Sequence, residues 1–108
     1  MPQFLVGLMY ESGKGVPQNY KIAMKWFTLS AEQGDTNAMN FLSVGYRYGE
    51  GVLQDYVYAY MWINISAASG NRAAPQMRDI IAKLMTPTQI EKAQELAREC
   101  VRKKYKGC

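Results

Sequence analysis

The sequence predicts an all-α fold, a solenoid of about three antiparallel helix hairpins. Three observations predict it. Gly13-Lys14-Gly15-Val16-Pro17-Gln18-Asn19-Tyr20, followed by Trp26, returns 36 residues later as Gly49-Glu50-Gly51-Val52-Leu53-Gln54-Asp55-Tyr56, followed by Trp62. Apolar residues between these phrases recur at the helical period. Strand signals of weight are absent. A fixed period of roughly 20 to 50 residues marks supersecondary units that stack to build one continuous core.

The repeat extends beyond the phrase. Residues 1–35 laid on 37–71 also match at Tyr10/Tyr46, Ala23/Ala59, Ser30/Ser66, Ala31/Ala67 and Gly34/Gly70. Asn19/Asp55 and Asp35/Asn71 are near-identities. The matching residues are glycines, small residues, aromatics and capping types, where backbone geometry or close packing decides the side chain.

The first helix is expected over about 2–12, with Pro2 tolerable at its first position. The second, about 20–33, opens on Asn19 as cap and stops at Gly34. The third, about 36–48, starts from Asp35 and carries the stripe Ala38, Phe41, Leu42, Gly45 and Tyr46. Gly49 ends it in the left-handed position that follows a helix, and Gly51 keeps the connector tight. The fourth, about 56–69, is capped by Asp55 and carries Ala59, Trp62, Ile63 and Ser66. Gly70 stops it, and Asn71 is expected to cap the next helix.

The fifth helix, about 72–85, carries Ala73, Met77, Ile80, Ile81 and Leu84. Arg78 stands where Leu42 stood, so a shifted packing register is expected there. The sixth, about 87–104, begins with the capping box Thr86-Pro87-Thr88-Gln89. Ile90, Ala93, Ala97, Cys100, Val101 and Lys104 form one face; the other is charged, from Glu91 to Lys103. A more polar last unit closes the exposed end of a stack. The chain thus reads as one domain, 1–108, with repeats of about 1–35 and 36–71 and an atypical capping hairpin, 72–108.

Composition narrows the function. Apolar residues make up 48% of the chain, too many for disorder. No apolar run approaches the ~20 residues of a membrane helix. Met1-Pro2-Gln3-Phe4 lacks the basic and apolar regions of a signal peptide, so the chain is cytosolic or follows a removed leader. Residues 1–97 carry eight Lys/Arg and eight Asp/Glu, so the net charge of +4 lies wholly in the last eleven residues. The body offers no basic face for nucleic acid. With no histidine and two cysteines, no tetrahedral nitrogen–sulfur metal site can be assembled. No nucleophile stands beside a recognisable base, so no enzyme activity and no cofactor is implied. The Gly-Lys-Gly and Gly-Glu-Gly triplets lack the spacing of a phosphate loop and read as turns. Trp26 and Trp62, beside small alanines, read as packing anchors between stacked hairpins rather than ligand platforms.

These residues carry a resemblance. Leu42, Tyr46, Gly49, Gly51, Val52, Asp55, Tyr56, Ala59, Trp62, Ser66, Ala67, Gly70 and Asn71 stand at the spacing of the Sel-one-like repeat (SLR), a relative of the tetratricopeptide repeat. Gly13 to Asp35 matches it again. The segment Met85 to Ala97 resembles the closing helix of bacterial members, and the tail Cys100 to Cys108 is similar to endings of exported ones. Ser43 and Ser66 depart mildly from the small residues usual there. The resemblance implies a right-handed α-α superhelix that binds a protein or peptide and acts as an adaptor.

It also implies a binding face, because the first helix of each hairpin lines the concave side of such solenoids. By that register the solvent-facing positions are Asn37, Asn40, Val44, Arg47 and Tyr48 in the third helix. In the fifth they are Ala73, Gln76, Ile80 and Lys83, and in the first Phe4, Leu8 and Glu11. Phe4, Leu5 and Leu8 at the uncapped N-terminal end form a second candidate surface, suited to self-association or stacking.

The C-terminal end offers two more readings. Arg98, Arg102, Lys103, Lys104 and Lys106 suit either the negative end of the helix dipole, with Glu99 as an ion-pair partner, or an anionic ligand. The alternative to an adaptor is therefore a regulatory or inhibitory domain that binds an enzyme or an anionic cell-envelope ligand through this end. Cys100 and Cys108 would stand about 12 Å apart in a continuous helix. A disulfide needs less than about 7 Å, so it requires the helix to end near Lys104 with Gly107 turning the chain back. That bond is expected, with two free thiols as the alternative. It points to the periplasm or to secretion.

Overall fold

Four side chains start four of the helices. Asn19 Oδ1 accepts from Ile22 N at 3.1 Å and Asp55 Oδ1 from Tyr58 N at 3.1 Å. Asp35 Oδ1 accepts from Asn37 N and Ala38 N at 2.9 and 3.3 Å. Thr86 and Gln89 complete a reciprocal capping box. Each cap satisfies N–H groups that the helix cannot, worth about 1 kcal/mol apiece.

The computed structural model describes residues 2–108. The helices are α1 (Gln3–Ser12), α2 (Tyr20–Ala31), α3 (Thr36–Tyr48), α4 (Tyr56–Ala68), α5 (Ala74–Ala82) and α6 (Pro87–Arg102). No strand occurs among the described residues. α1 packs on α2 and α3 on α4 as hairpins, and α3 packs on α2 to stack the second hairpin on the first. The result is an all-α helical repeat solenoid.

The stack is held at close quarters. Phe27 of α2 lies 5.0 Å from Phe41 of α3, and Phe4 of α1 sits 5.9 and 5.6 Å from those two rings. A Cβ on Gly45 would meet Met24 Sδ at 2.5 Å, so a side chain there would displace the Met24 thioether from between α2 and α3. Gly51 matters more. Its φ is +80°, and a Cβ there would stand 2.4 Å from the Tyr20 carbonyl oxygen. The connector of the second unit therefore presses on the first turn of α2. Ser43 Oγ donates to the Ala59 carbonyl at 2.8 Å and ties α3 to α4.

Trp62 is buried in the cluster that joins α2, α3, α4 and α6. Its repeat partner Trp26 is only half-buried, so it is not the core anchor expected of both tryptophans.

The third hairpin departs from the period. α5 and α6 both pack on α4. α5 is shorter than the expected span, and its first residue follows Ala73, a cap without a side-chain hydrogen bond. Asn71 is thus not the cap, although its Oδ1 still accepts from Ala73 N at 3.1 Å. Within α5 the inward residues are Ala74, Met77 and Ile81. Ile80 and Leu84, with Ala73, face solvent. Arg78, half-buried, pairs with Asp79 at 3.7 Å.

After α6 the chain turns back sharply. Cys100 and Cys108 form a disulfide with Cα atoms 5.5 Å apart. The helix ends at Arg102, earlier than expected, and the reversal uses left-handed Lys104, Tyr105 and Gly107 rather than Gly107 alone. Gly107 N donates to Glu32 Oε2 at 3.2 Å, and the Tyr105 ring lies by Gly34. The tail is therefore seated on the C-terminal end of α2.

Candidate functional site

The candidate face is built on α3. Asp35 fixes its start, Gly49 its end, and α2 and α4 cover its two inner edges. What remains outside is a strip that includes Asn37 and Tyr48, with Arg47 half-buried beside Tyr48. Tyr48 is 60% exposed, and the Arg47 guanidinium carbon lies 4.8 Å from its ring centroid. A cation over an aromatic face keeps its N–H edge available for a carboxylate or carbonyl. The Arg47 carbonyl accepts from Gln54 Nε2 at 2.9 Å, which pins the last turn to the connector.

Other expected positions lie elsewhere. Asn40 is not solvent-facing: it is 8% exposed. Its Nδ2 donates to Asn71 Oδ1 at 2.9 Å, and its Oδ1 accepts from Ser66 Oγ at 2.6 Å. Asn71 Nδ2 in turn donates to Thr36 Oγ1 and Asn37 Oδ1, both at 3.0 Å. A buried amide needs such partners, and here they lock the start of α3 to the end of α4. Val44 is half-buried in a small cleft of about 50 Å³ between α2 and α3. Gln76 and Ile80 are exposed on α5, and Lys83 is exposed just past its end, at the C-cap. In the first helix Phe4 points inward, onto Phe27 and Phe41, instead of outward.

The basic end is partly self-satisfied. Arg102 pairs with Glu99, and Lys103 Nζ donates to the Gly107 carbonyl at 3.2 Å. The Arg102 hydrogen bond and charge hold the Glu99 carboxyl below its ordinary 4.5. At the other end, burial pushes the Tyr46 phenol above its ordinary 10.0, and Tyr58, whose ring lies 5.5 Å away, and Asp55 push the same way. Among the described residues no three His, Cys, Asp or Glu side chains gather as a metal site, and no helix is long and apolar enough to cross a membrane.

The hydrogen-bonded Asn40–Ser66–Asn71 group is the part that sequence reasoning missed. A signal was present: Asn40 replaces Phe4 of the first unit, and Ser66 repeats Ser30.

The comparisons follow this geometry. The Sel1 repeat family model matches residues 3–35 and 36–71. A search of curated proteins found no match. Among solved structures, a protective antigen of uropathogenic Escherichia coli strains that displays an SLR fold is 30% identical, with a TM-score of 0.89 over 95% of this chain. A Sel1 repeat protein from Oxalobacter formigenes is 33% identical, with a TM-score of 0.69 over 70% of this chain. The aligned regions span 23% and 31% of those longer chains. Two matched repeats, stacked as hairpins with their turn glycines and caps in phase, place this chain in the Sel1 repeat family.

Proposed function

We propose that this chain is a non-catalytic interaction scaffold that binds a protein or peptide on the concave face, through the solvent-facing residues of α3 and α5. Sel1 repeat proteins are in general protein-interaction scaffolds. The observation that carries the proposal is the pairing of half-buried Arg47 with the exposed ring of Tyr48. The first unit has Glu11 and Ser12 at these positions, so the repeat itself does not require the pair. Aromatic and arginine side chains are the types enriched at the energetic centres of interfaces. Asn37, Gln76 and Lys83 would add polar contacts around it, while Asn40 acts from inside by fixing the start of α3.

The runner-up is binding of an enzyme or anionic envelope ligand through the basic end. The pairing of Arg102 with Glu99 and of Lys103 with Gly107 favours the α3 face instead, since those side chains already serve the helix terminus. The disulfide supports an oxidising compartment, the periplasm or the outside of the cell.

The test uses the immobilised chain against a cell-envelope extract, with two sets of substitutions compared. Loss of a retained protein on Arg47→Ala with Tyr48→Ala, but not on Arg102→Gln, Lys103→Gln and Lys104→Gln, supports the α3 face. The reverse pattern, with binding weakened by salt, supports the basic end and overturns the proposal.

A further inference from the structure

By helical spacing Val101 and Lys104 belong to the inward face of α6, with Ala93, Ala97 and Cys100. In the structure Ala93, Ala97 and Cys100 are buried, while Val101 is 50% exposed and Lys104 is exposed. A recess opens beside them. Between α4 and α6 lies a shallow cleft of about 250 Å³, with Asn64, Ala68, Ala97 and Val101 along it and Arg98 at its edge. A second cleft of about 380 Å³ is bounded by Val101, Lys104, Tyr105 and Lys106 and by the residues that follow α2. Val101 lines both, so they form one trough across the C-terminal turns of α4 and α6 and the tail.

Charge divides around this trough. On the other flank of α6, Arg102 pairs with Glu99, and Lys103 Nζ donates to the Gly107 carbonyl. Arg98, Lys104 and Lys106, which border the trough, form no ion pair among the described residues. The one carboxylate at its edge, Glu32, already accepts from Gly107 N at 3.2 Å. Lys104 and Lys106 sit in the loop that the Cys100–Cys108 bond closes, so the bridge fixes that half of the trough. An apolar floor with a polar rim marks an interaction site. Here the rim is of one sign, and its charges are uncompensated.

We propose that this trough binds an acidic peptide segment with aliphatic anchors. A leucine or similar side chain seats against Ala68, Ala97 and Val101, and flanking Asp or Glu side chains meet Arg98, Lys104 and Lys106. The Asn64 amide, which can donate and accept, holds the peptide backbone. A flat anionic membrane surface would reach the cations but leave the floor unfilled. The complex is salt-sensitive, because its charges are exposed. The site is separate from the α3 face. It also differs from binding through the whole basic end, since Arg102 and Lys103 take no part.

The probe is a fluorescent peptide in which pairs of Asp or Glu flank single leucines, and fluorescence polarisation with the full oxidised chain reads its binding. Val101→Glu is expected to weaken binding about tenfold or more, because it sets a like charge against the peptide on an otherwise apolar floor. Arg98→Gln with Lys104→Gln and Lys106→Gln is expected to weaken it comparably. Arg102→Gln with Lys103→Gln is expected to leave it unchanged. All these side chains are exposed, and circular dichroism checks that each variant folds. The same peptide with serine for leucine is expected to lose binding. On titration the amide resonances that shift are those of 64–68, 97–101 and 104–106. No binding of the leucine peptide overturns the proposal. So do equal losses from the two sets of charge substitutions, equal binding of the serine peptide, or shifts confined to α3. Capture by phosphatidylglycerol vesicles in place of the peptide, insensitive to Val101→Glu, overturns it as well and assigns the surface to lipid.

Discussion

Asn40 and Asn71, thirty-one residues apart, share a hydrogen bond of 2.9 Å that joins the second turn of α3 to the connector after α4. Neither residue does this alone, since Ser66 supplies the second partner of Asn40. Asn40→Ala leaves Ser66 without its Asn40 acceptor and Asn71 without its donor. Ser66 Oγ still donates to the Thr36 carbonyl and Asn71 Oδ1 still accepts from Ala73 N, so the expected loss is about 0.5–1.5 kcal/mol for each of the two lost bonds. Urea unfolding of the single and double variants measures it. The double variant is expected to cost less than the sum of Asn40→Ala and Asn71→Ala; strict additivity would show that the bond does not couple them.

Gly51→Ala and Gly15→Ala separate backbone strain from collision. Both residues have φ +80°, so each substitution pays the left-handed penalty of roughly 1–2 kcal/mol. Only at Gly51 does the new methyl meet backbone, the Tyr20 carbonyl. Gly51→Ala is therefore expected to cost roughly 1–3 kcal/mol more, the usual range for overpacking. Equal midpoints in denaturant would contradict the close approach.

The disulfide closes a short loop, and the loop-entropy argument assigns it about 2–3 kcal/mol. Cys108→Ser is expected to lower stability by that amount. The change is expected to be local as well. Hydrogen exchange accelerates at residues 101–107 and at Glu32 to Gly34, where the tail is seated. Unchanged exchange at Glu32 to Gly34 would separate the bond from that docking.

Tyr46 gives a pH signature. Its folded phenol holds its proton above the ordinary 10.0, mainly through burial. The unfolded chain therefore ionises first as pH rises. The share of stability contributed by the neutral phenol is complete below the ordinary value and is lost as pH climbs through the raised one. An NMR titration of the Tyr46 ring is expected to show a midpoint above 10.0, moved downward by Asp55→Asn or Tyr58→Phe. A midpoint at or below the ordinary value would contradict the burial.

The readable parts of this chain are the local ones. Asn19, Asp35, Asp55 and Thr86 act within three residues of their own positions, so sequence spacing alone locates them. The period placed the hairpins for the same reason. Asn40 was misread because a borrowed helical register sent it outward. Its repeat partner Phe4 lies inward too, against Phe27 and Phe41, and that internal comparison was the better guide. α5 misled differently. Ile80 and Leu84 are as apolar as Met77 and Ile81, and a stripe does not say which edge a neighbour will cover. That edge was decided by α4, which receives α5 and α6 together.

The clipped tail also has a mechanical meaning. A pull applied at Cys108 does not travel through residues 101–107. It crosses the sulfur bridge to Cys100, which is buried among residues of α2, α3 and α4. The tail cannot serve as an elastic spacer while the bridge is intact. Tension at this end enters α6 at Cys100, and reduction would route it instead through residues 101–107, held then only by contacts such as Gly107 N to Glu32 Oε2.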